Sequence, residues 1–329
     1  MILYFAPINL LGNHAYRHLI LRHGADMVFT ELILYRDLFG KEGDHDKLAI
    51  TKGDETKTVV QVGTGEPDRV LEMVDHIMRH HPEVPEINLN MDCPQSTLVR
   101  KVSCGGLLND ITAMQAVTTA LVHACEEHGV LPSVKIRTGP RPNRFKLDEY
   151  VKSLKRAGIT KIYVHGRTLG QGYHQPANHS PLAKAVKKYP EIRFVANGDI
   201  DSYDSARRLE DETDCSDIMI GRAALHNPSI FRNVKQEVKA KTSSFSPLEN
   251  DPNLIREENG SKSCSEEKKS LVKEFVEIST RNELPVKTAK RNLMMMLKGI
   301  SDMKAVFKDL NEAGDYSELT KILYQHPFI

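Results

Sequence analysis

A cysteine in a short polar stretch is the first residue of this sequence that could do chemistry. The stretch Ile87–Pro94 reads I-N-L-N-M-D-C-P, and it changes from strand-type residues to polar ones. This change predicts the carboxyl end of a buried strand that opens into a loop. The thiol of Cys93, with an ordinary pKa of about 8.5, would be mostly protonated at neutral pH and could donate its proton. The alternative is an inert buried thiol.

Polar or small residues also follow seven other apolar runs of the chain. Catalytic side chains of α/β barrels gather at the carboxyl ends of the strands, so we expect these residues to lie together. Gly198 and Gly221 follow the last two runs and, with Arg222, predict a phosphate site, although ordinary turns are the alternative. The groups are Ala6-Pro7, Thr30-Glu31, Gln61, Asn90 with Cys93, Lys135 with Arg137, His165 with Arg167, Asn197-Gly198-Asp199, and Gly221-Arg222.

Three of these side chains have both a chemical and a structural interpretation. Lys135 could place a cation against a delocalised negative charge, such as the pyrimidine edge of a reduced flavin, or it could form a core ion pair with Glu31. Gln61 could bind the same edge, because its amide has one acceptor and two donors. His165 lies beside Arg167 and opposite Lys135, which favours a ligand contact over a purely structural role.

The apolar runs alternate with amphipathic stretches such as Glu66–His81 and Ile111–His128, and this alternation predicts the fold. Strand followed by helix, eight times in roughly 230 residues, predicts a parallel (β/α)8 TIM barrel of the α/β class. An open doubly wound sheet is the alternative, but no G-x-G-x-x-G follows the first run. The runs are Leu3–Phe5, Met27–Phe29, Val59–Val62, Ile87–Leu89, Val134–Ile136, Ile162–Val164, Phe194–Ala196 and Ile218–Ile220.

The pattern changes after the last run. Ser243–Lys268 is rich in Ser, Asn and Glu, which predicts an exposed linker. Helical patterns follow in Glu266–Arg281, after Pro285, in Met303–Asn311 and in Tyr316–Tyr324. The sequence therefore predicts a catalytic barrel (residues 1–240), a linker (241–268) and a small all-α helical-bundle domain (269–329).

Composition and charge restrict the class of protein. The chain has 329 residues, of which 40% are hydrophobic and 27% charged, as in ordinary globular domains. A net charge of +1 means that nucleic acid could be bound only through a local basic patch. No apolar run approaches the ~20 residues of a membrane-spanning helix. Five scattered cysteines without metal-type spacing indicate free thiols in a reducing, cytoplasmic setting, without a metal or membrane partner, and we expect a monomer.

A local basic patch is present in the C-terminal region. Lys287, Lys290 and Arg291, called the basic patch below, are spaced so that one side of a helix would carry them. Such a side suits the backbone of a nucleic acid. A solvated helix face is equally consistent with the charge alone.

The residues at the strand ends, taken together and in order, resemble those of the tRNA-dihydrouridine synthase family. The resemblance covers about residues 4–231, and K-R-N-L-M-M-M-L-K-G from Lys290 resembles the tRNA-binding helical domain of that family more loosely. The matching stretches are Tyr4-Phe5-Ala6-Pro7, Thr30-Glu31, Val60-Gln61, I-N-L-N-M-D-C-P, Val134-Lys135-Ile136-Arg137, V-H-G-R-T from Val164, A-N-G-D-I from Ala196 and I-M-I-G-R-A-A-L-H-N-P-S-I-F from Ile218.

The resemblance implies an FMN-dependent oxidoreductase with NADPH as reductant and tRNA as substrate. A hydride would pass from flavin N5 to C6 of a uridine, and Cys93 would protonate C5 from the other side. Asn90, Arg137 and Arg167 would surround the flipped uracil, and the basic patch would contact tRNA. The residues implied to contact FMN are Ala6, Pro7, Gln61, Lys135, His165, Asn197, Gly198, Asp199, Gly221 and Arg222.

Three features depart from the family pattern. Asp92 stands where the family usually has glycine, an aromatic residue expected near His179 is missing, and the linker is long. A carboxylate beside Cys93 would raise the pKa of its thiol, which suits a general acid. The alternatives are a small-molecule FMN oxidoreductase of the dihydroorotate dehydrogenase type, a catalytically impaired tRNA-binding homologue and a non-redox phosphate-binding barrel. The basic helical region argues against the first, and the pair Gln61 and Lys135 argues against the last.

Overall fold

The computed structural model describes residues 1–41, 45–243, 266–300 and 303–325. Within these residues, parallel strands form one continuous sheet. The strands are β1 Leu3–Phe5, β2 Met27–Phe29, β3 Ile33–Leu34, β4 Thr58–Gly63, β5 Glu86–Met91, β6 Leu131–Arg137, β7 Lys161–His165, β8 Arg193–Asn197 and β9 Asp217–Ile220.

Eight of the strands close into a barrel. Strand β1 pairs with both β2 and β9, β2 pairs with β4, and the order then follows the chain from β4 to β9. The two-residue strand β3 lies outside this ring and pairs with β4, with Ile33 opposite Val62. The predicted (β/α)8 barrel is confirmed, and each predicted run lies within one barrel strand.

Side-chain alternation along the strands separates two apolar regions. Tyr4, Phe29, Tyr163 and Met219 form a small cluster within the barrel, whereas the neighbouring strand positions join a larger cluster with the surrounding helices. The two tyrosines meet edge to face, with their ring centroids 5.3 Å apart. This packing fills much of the barrel interior, and the polar residues that follow the strands lie at its upper end.

Helix boundaries follow from local capping. The Asp110 side chain accepts a hydrogen bond from the Ala113 amide at 3.0 Å, and Gly129 ends the same helix with a φ of +65°. The helices are α1 His14–Arg22, α2 Tyr35–Phe39, α3 Pro67–His80, α4 Ser96–Arg100, α5 Ile111–His128, α6 Leu147–Arg156, α7 Ser180–Lys188, α8 Tyr203–Thr213, α9 Arg222–His226, α10 Ile230–Ser243, α11 Glu266–Arg281, α12 Val286–Met296, α13 Lys304–Glu312 and α14 Tyr316–Gln325, with 3₁₀ turns at His45–Leu48, Glu55–Lys57 and Cys104–Asn109.

The C-terminal helices pack against the barrel. Helix α11 lies against α1, α12 lies against α9 and α11, and α14 lies against α11 and α13. The Tyr16 and Phe275 rings meet edge to face at 5.5 Å. Asn292 of α12 accepts a hydrogen bond from Asn13 at 2.7 Å and donates to the Leu11 carbonyl at 2.8 Å. Because Leu11 lies in the loop after β1, α12 is fixed beside the mouth of the barrel.

The predicted linker and helical domain correspond only in part to residues that the structure describes. Residues 244–265 of the predicted linker, 241–268, lie outside the described residues, while residues 241–243 end α10 and residues 266–268 begin α11. The predicted helical region after the barrel is confirmed by α11 to α14. The domain boundaries at 240 and 268 stay a prediction.

Across residues 1–41, 45–243, 266–300 and 303–325, no helix is long and apolar enough to cross a membrane. The same residues contain no group of three or more His, Cys, Asp or Glu side chains arranged to hold a metal ion.

Candidate active site

Cys93 is held on a tight turn at the mouth of the barrel. The Asn90 side-chain oxygen accepts hydrogen bonds from the Asp92 amide at 3.1 Å and from the Cys93 amide at 3.0 Å. This is an Asx-type turn, in which a side chain replaces a backbone acceptor. Gly105 packs against the turn, and a Cβ at that position would lie 2.4 Å from the Cys93 carbonyl oxygen. The partly exposed thiol of Cys93 therefore sits on a fixed backbone.

A chain of hydrogen bonds across the barrel sets the orientation of Asn90. Glu86, as a carboxylate, only accepts, so the Ser133 hydroxyl must donate to it across 2.5 Å. The Ser133 oxygen then accepts from the Asn88 amide nitrogen at 2.7 Å. The Asn88 oxygen accepts from Gln61 at 2.9 Å, and the Gln61 oxygen accepts from Asn90 at 2.8 Å. The Asn90 oxygen is thereby left facing the turn that holds the cysteine.

Asp92 joins three basic side chains from the next two strands, β6 and β7. Its carboxylate oxygens lie 2.5 Å from Lys135 Nζ, 2.9 Å from Arg137 Nε and 3.2 Å from His165 Nδ1. Burial opposes ionisation, but Lys135 and Arg137 outweigh it and hold the pKa of Asp92 well below its usual range. The expected core ion pair of Lys135 is present, but its partner is Asp92 and not Glu31. Asp92 follows the adjacent strand β5, in which Asn90 lies opposite Lys135.

The surroundings of His165 define its protonation state. Arg167 Nη1 lies 3.3 Å from His165 Nε2, and a guanidinium can only donate, so Nε2 accepts and Nδ1 donates to Asp92. Burial lowers the pKa of His165 to about 4, because it outweighs the opposing effect of the Asp92 carboxylate. The imidazole is therefore neutral at pH 7.

We expect this histidine to make the fold sensitive to mild acid. Its pKa is about 4 in the folded chain and near the ordinary 6.5 in the unfolded one, so the unfolded chain binds the proton first as the pH falls. Between pH 8 and pH 5 the His165 contribution lowers the free energy of unfolding by about 2 kcal/mol. Urea unfolding of His165→Gln at both pH values should show a loss of unfolding free energy that is about 2 kcal/mol smaller than the loss in the wild type. An equal loss in both proteins would contradict the assignment.

A second ion-pair group lies at the ends of β7, β8 and β9. Arg167 Nη2 contacts both carboxylate oxygens of Asp199 at 2.7 Å, and Arg222 Nη2 contacts one of them at 2.9 Å. The Ala177 amide also donates to Asp199 at 2.8 Å. Burial opposes ionisation of Asp199, but the Ala177 amide and Arg167 outweigh it and lower its pKa. Gly198, which precedes Asp199, has a φ of +127°, a conformation that L side chains rarely adopt.

The two glycines predicted to form a phosphate site follow neighbouring strands. The Asn197 side chain donates to the Met219 carbonyl at 2.8 Å and ties β8 to β9. Gly221 is partly exposed, and a Cβ there would make an ordinary contact with the Ala6 Cβ, 3.6 Å away. The Ala6 amide donates to the Ile220 carbonyl at 2.9 Å. The structure therefore brings the predicted residues at the ends of β1, β8 and β9, including the partly exposed Pro7, to one edge of the mouth.

Tyr173 is a site residue to which sequence reasoning gave no role. Its ring centroid lies 4.5 Å from the Arg222 guanidinium, 5.8 Å from that of Arg167 and 6.3 Å from the nearly parallel ring of His165. The side chain is nevertheless 57% exposed. An aromatic residue in a polar loop after a barrel strand was the available signal.

The basic patch lies on α12, apart from the residues at the mouth. Lys287 is exposed, and Lys290 and Arg291 are partly exposed. The Lys290 amine donates to the Asn311 carbonyl at 2.8 Å, which ties α12 to the end of α13. Within the residues that the structure describes, the side chains of Lys287 and Arg291 make no such hydrogen bond.

Known proteins resemble this chain over most of its length. Residues 4–326 match the family model described as dihydrouridine synthase. A probable tRNA-dihydrouridine synthase of Aquifex aeolicus is 29% identical over 283 residues, which cover 85% of this chain and 88% of that protein. The tRNA-dihydrouridine synthase B of Pseudomonas aeruginosa is 31% identical over 233 residues, which cover 70% of this chain and 68% of the relative.

More distant matches include a larger enzyme and a solved structure. A Vanderwaltozyma polyspora protein named tRNA-dihydrouridine(47) synthase, with NAD(P)(+) in its name, is 27% identical over 74% of this chain and 40% of its own. A crystal structure of DHODH in complex with ferulenol from Eimeria tenella superposes with a TM-score of 0.52 at 14% identity, over 74% of this chain and 81% of that one, which supports the fold alone. From the near-complete family match, this chain belongs to the dihydrouridine synthase family.

Proposed function

We propose that this protein reduces uridines in tRNA to 5,6-dihydrouridine, with FMN as the bound flavin and NADPH as the reductant. The relatives named tRNA-dihydrouridine synthase support the reaction and the substrate. The observation that carries the proposal is the partly exposed Cys93 thiol, fixed by Asn90 beside the cluster of Asp92, Lys135 and Arg137. The proton donor Cys93 and the cations Lys135 and Arg137 therefore lie together at the mouth of the barrel.

The residues at the mouth fit FMN by the chemistry of their donors. Lys135 is suited by its charge to the electron-rich pyrimidine edge of a flavin. The Gln61 amide is buried and bonded to Asn88 and Asn90, which leaves one N–H for that edge. Arg222, whose side chain is 51% exposed, and the partly exposed Gly221, which has no side chain, are suited to the phosphate. When bound, FMN supplies the hydride that uracil receives at C6. The residues that would hold FMN are Ala6, Pro7, Gln61, Lys135, His165, Asn197, Gly198, Asp199, Gly221 and Arg222.

Cys93 acts as the general acid in this proposal. Burial, with a further contribution from the Asp92 carboxylate, raises the pKa of its thiol above the ordinary value, so the protonated form prevails at physiological pH. The thiol gives its proton to C5 of the uracil, which with the hydride at C6 saturates the 5,6 double bond. Because Cys93 is partly exposed, the resulting thiolate can be reprotonated from solvent.

Asn90, Arg137 and Arg167 support the site from behind rather than reach into it. Arg137 and Arg167 are each 1% exposed. Arg137 donates to the carbonyls of Thr168 and Gln171 as well as to Asp92. Arg167 is held by Asp199 and His165. We propose that these side chains shape the loops around the uracil, and that the peptide groups and the aromatic ring of those loops make the direct contacts.

The basic patch is proposed to hold the tRNA backbone beside the mouth. With a net charge of only +1, the protein needs a local patch to bind a polyanion. Helix α12 is tied by Asn292 to the loop after β1, so the helix that carries Lys287 and Arg291 is anchored at the end of the barrel where Cys93 lies. Extruding the target uridine from its stack would then bring its base into the mouth.

We expect charge reversal in the patch to weaken tRNA binding without loss of flavin. The double variant Lys287→Glu, Arg291→Glu should lower tRNA affinity at least tenfold. The slope of log affinity against log salt should become shallower by roughly 1.4 to 1.8, since each of the two lost phosphate contacts removes roughly 0.7 to 0.9. Lys187→Glu is the matched control, because Lys187 lies near the end of α7, at the opposite end of the barrel. Unchanged affinity in the double variant, measured by filter binding, would contradict the tRNA face.

The reaction itself is tested by nucleoside analysis. Unmodified tRNA transcript is incubated with the purified protein, FMN and NADPH, then digested, and dihydrouridine is measured by mass spectrometry. We expect dihydrouridine from tRNA and no reduction of orotate, the matched small-molecule acceptor. Reduction of orotate with unchanged tRNA would favour the dihydroorotate dehydrogenase type of enzyme instead.

We propose a cytoplasmic monomer as the working form. Cys93, Cys104, Cys125 and Cys215 are free thiols, which suits a reducing compartment. The tRNA substrate proposed above is available in the same compartment. Size-exclusion chromatography with light scattering would measure the oligomeric state.

A further inference from the structure

A carboxylate stands in the mouth of this barrel at the position where the family pattern has glycine. Asp92 contacts Lys135, Arg137 and His165 at 2.5, 2.9 and 3.2 Å. The Asn90 side chain fixes its backbone amide at 3.1 Å. Asp92 is therefore built into the cluster through both its side chain and its backbone, and the mechanism proposed above gives it only a minor effect on the thiol.

Removing the charge of Asp92 would affect Lys135 more than its neighbours. Within the part of the chain that the structure describes, Asp92 is the one hydrogen-bond acceptor recorded for the Lys135 amine. Arg137, by contrast, also donates to the Thr168 carbonyl at 2.8 Å. His165 keeps its contact with Arg167 at 3.3 Å. The carboxylate is thus the specific counter-charge of the lysine.

The charges of the cluster show what this pairing does. Lys135 and Arg137 are cations, Asp92 is an anion, and His165 is neutral, so the four groups together carry one positive charge instead of two. An opposite charge at hydrogen-bond distance cancels most of the field that a lysine would exert on a third group nearby. A ligand edge that faces Lys135 therefore meets a nearly neutral pair.

We propose that Asp92 is a positioning residue that neutralises Lys135 and thereby lowers the reduction potential of the bound flavin. The proposal rests on the function proposed above. Two-electron reduction adds negative charge to the pyrimidine side of a flavin, and an uncompensated cation there binds the reduced form more tightly than the oxidised form. Differential binding of two states shifts the equilibrium between them by the same factor. With Asp92 present, that preference for the reduced flavin is weakened, and the flavin gives up its hydride more readily.

The test is the midpoint potential of the flavin in the holoenzyme, measured by anaerobic dye equilibration. We expect Asp92→Asn to favour the reduced form at least tenfold, which for a two-electron couple is a shift of about 30 mV to a more positive potential. Asp92→Gly removes the same charge with the residue typical of the family and should shift the potential in the same direction, which covers a failure of the first variant to fold. A purely structural role would alter stability and leave the potential where it was.

Asp217→Asn is the matched control. Asp217 is a buried carboxylate paired with Arg193 at 2.6 Å, and it begins β9 at the opposite end of the barrel, so its loss should leave the potential unchanged. Flavin that binds both Asp92 variants with the wild-type potential would overturn the role of Asp92 alone. A wild-type protein that binds no FMN would instead overturn the proposed function.

Discussion

Replacement of Cys93 by alanine should slow the reduction of uridine by about 100- to 10,000-fold and leave the flavin bound, the range typical of a lost general acid. The thiol is the proton donor in the proposed reaction, and burial together with Asp92 keeps it protonated. Its partly exposed side chain contributes little packing, so the fold should persist. The measurement is the single-turnover reoxidation of NADPH-reduced enzyme by unmodified tRNA, followed anaerobically at the flavin absorption band.

Two comparisons make this result specific. Cys125→Ala removes a fully buried thiol on α5, so it should cost stability but not the rate of reoxidation. In the wild type, the rate should stay level through neutral pH and fall only under alkaline conditions, because the acid form of Cys93 is the active one. Normal turnover of Cys93→Ala would remove the thiol from the reaction.

Replacement of Lys135 by methionine should lower both the stability of the protein and its affinity for FMN. The substitution leaves the Asp92 carboxylate with Arg137 but without the closer of its two cations. Breaking a buried pair by removing one partner is strongly destabilising, and we expect a loss of about 3 kcal/mol in the free energy of unfolding. Urea denaturation without FMN measures the stability, and quenching of FMN fluorescence measures the affinity.

A double variant separates the two effects. Adding Asp92→Asn to Lys135→Met removes the charge left without its partner, so part of the lost stability should return. Affinity for FMN should stay low, because the cation that faces the flavin is still missing. Free-energy losses that simply add in the double variant would contradict a direct interaction between Asp92 and Lys135.

The framework of the barrel could be predicted because its signals are local. Each strand is a short apolar run, and α5 begins and ends where Asp110 and Gly129 cap it. Helix α11 likewise spans the predicted Glu266–Arg281. Patterns of this kind depend on neighbours within one or two turns of chain, so a single sequence is enough to locate them.

The connections within the site could not be predicted because they join distant residues. Asp92 meets Lys135 and His165 across 43 and 73 positions of sequence, and only the register of β5, β6 and β7 brings them together. The sequence marked Asp92 as unusual but could not show what it touches. The hydrogen-bond chain from Glu86 to Asn90 also joins side chains of different strands, so the sequence could not predict it either.

The spacing of residues in the sequence also could not predict contacts between surface side chains of different elements. The basic patch was located correctly on one helix, but the bond from Lys290 to the Asn311 carbonyl depends on how α12 packs on α13. Tyr173 lies in a loop without periodicity, so its place beside Arg222 follows only from the fold of the mouth. Because Lys290 is bonded to the Asn311 carbonyl, the charge-reversal variant replaces Lys287 and Arg291 instead.

The visible absorption spectrum of the purified protein, recorded anaerobically, tests the central proposal most directly. We expect flavin bands that bleach when NADPH is added and recover when unmodified tRNA follows, because uridine then takes the hydride. The same tRNA already carrying dihydrouridine should leave the bands bleached. Bands that bleach and do not respond to unmodified tRNA, or a protein that cannot be reconstituted with FMN, would contradict a flavin-dependent reduction of tRNA.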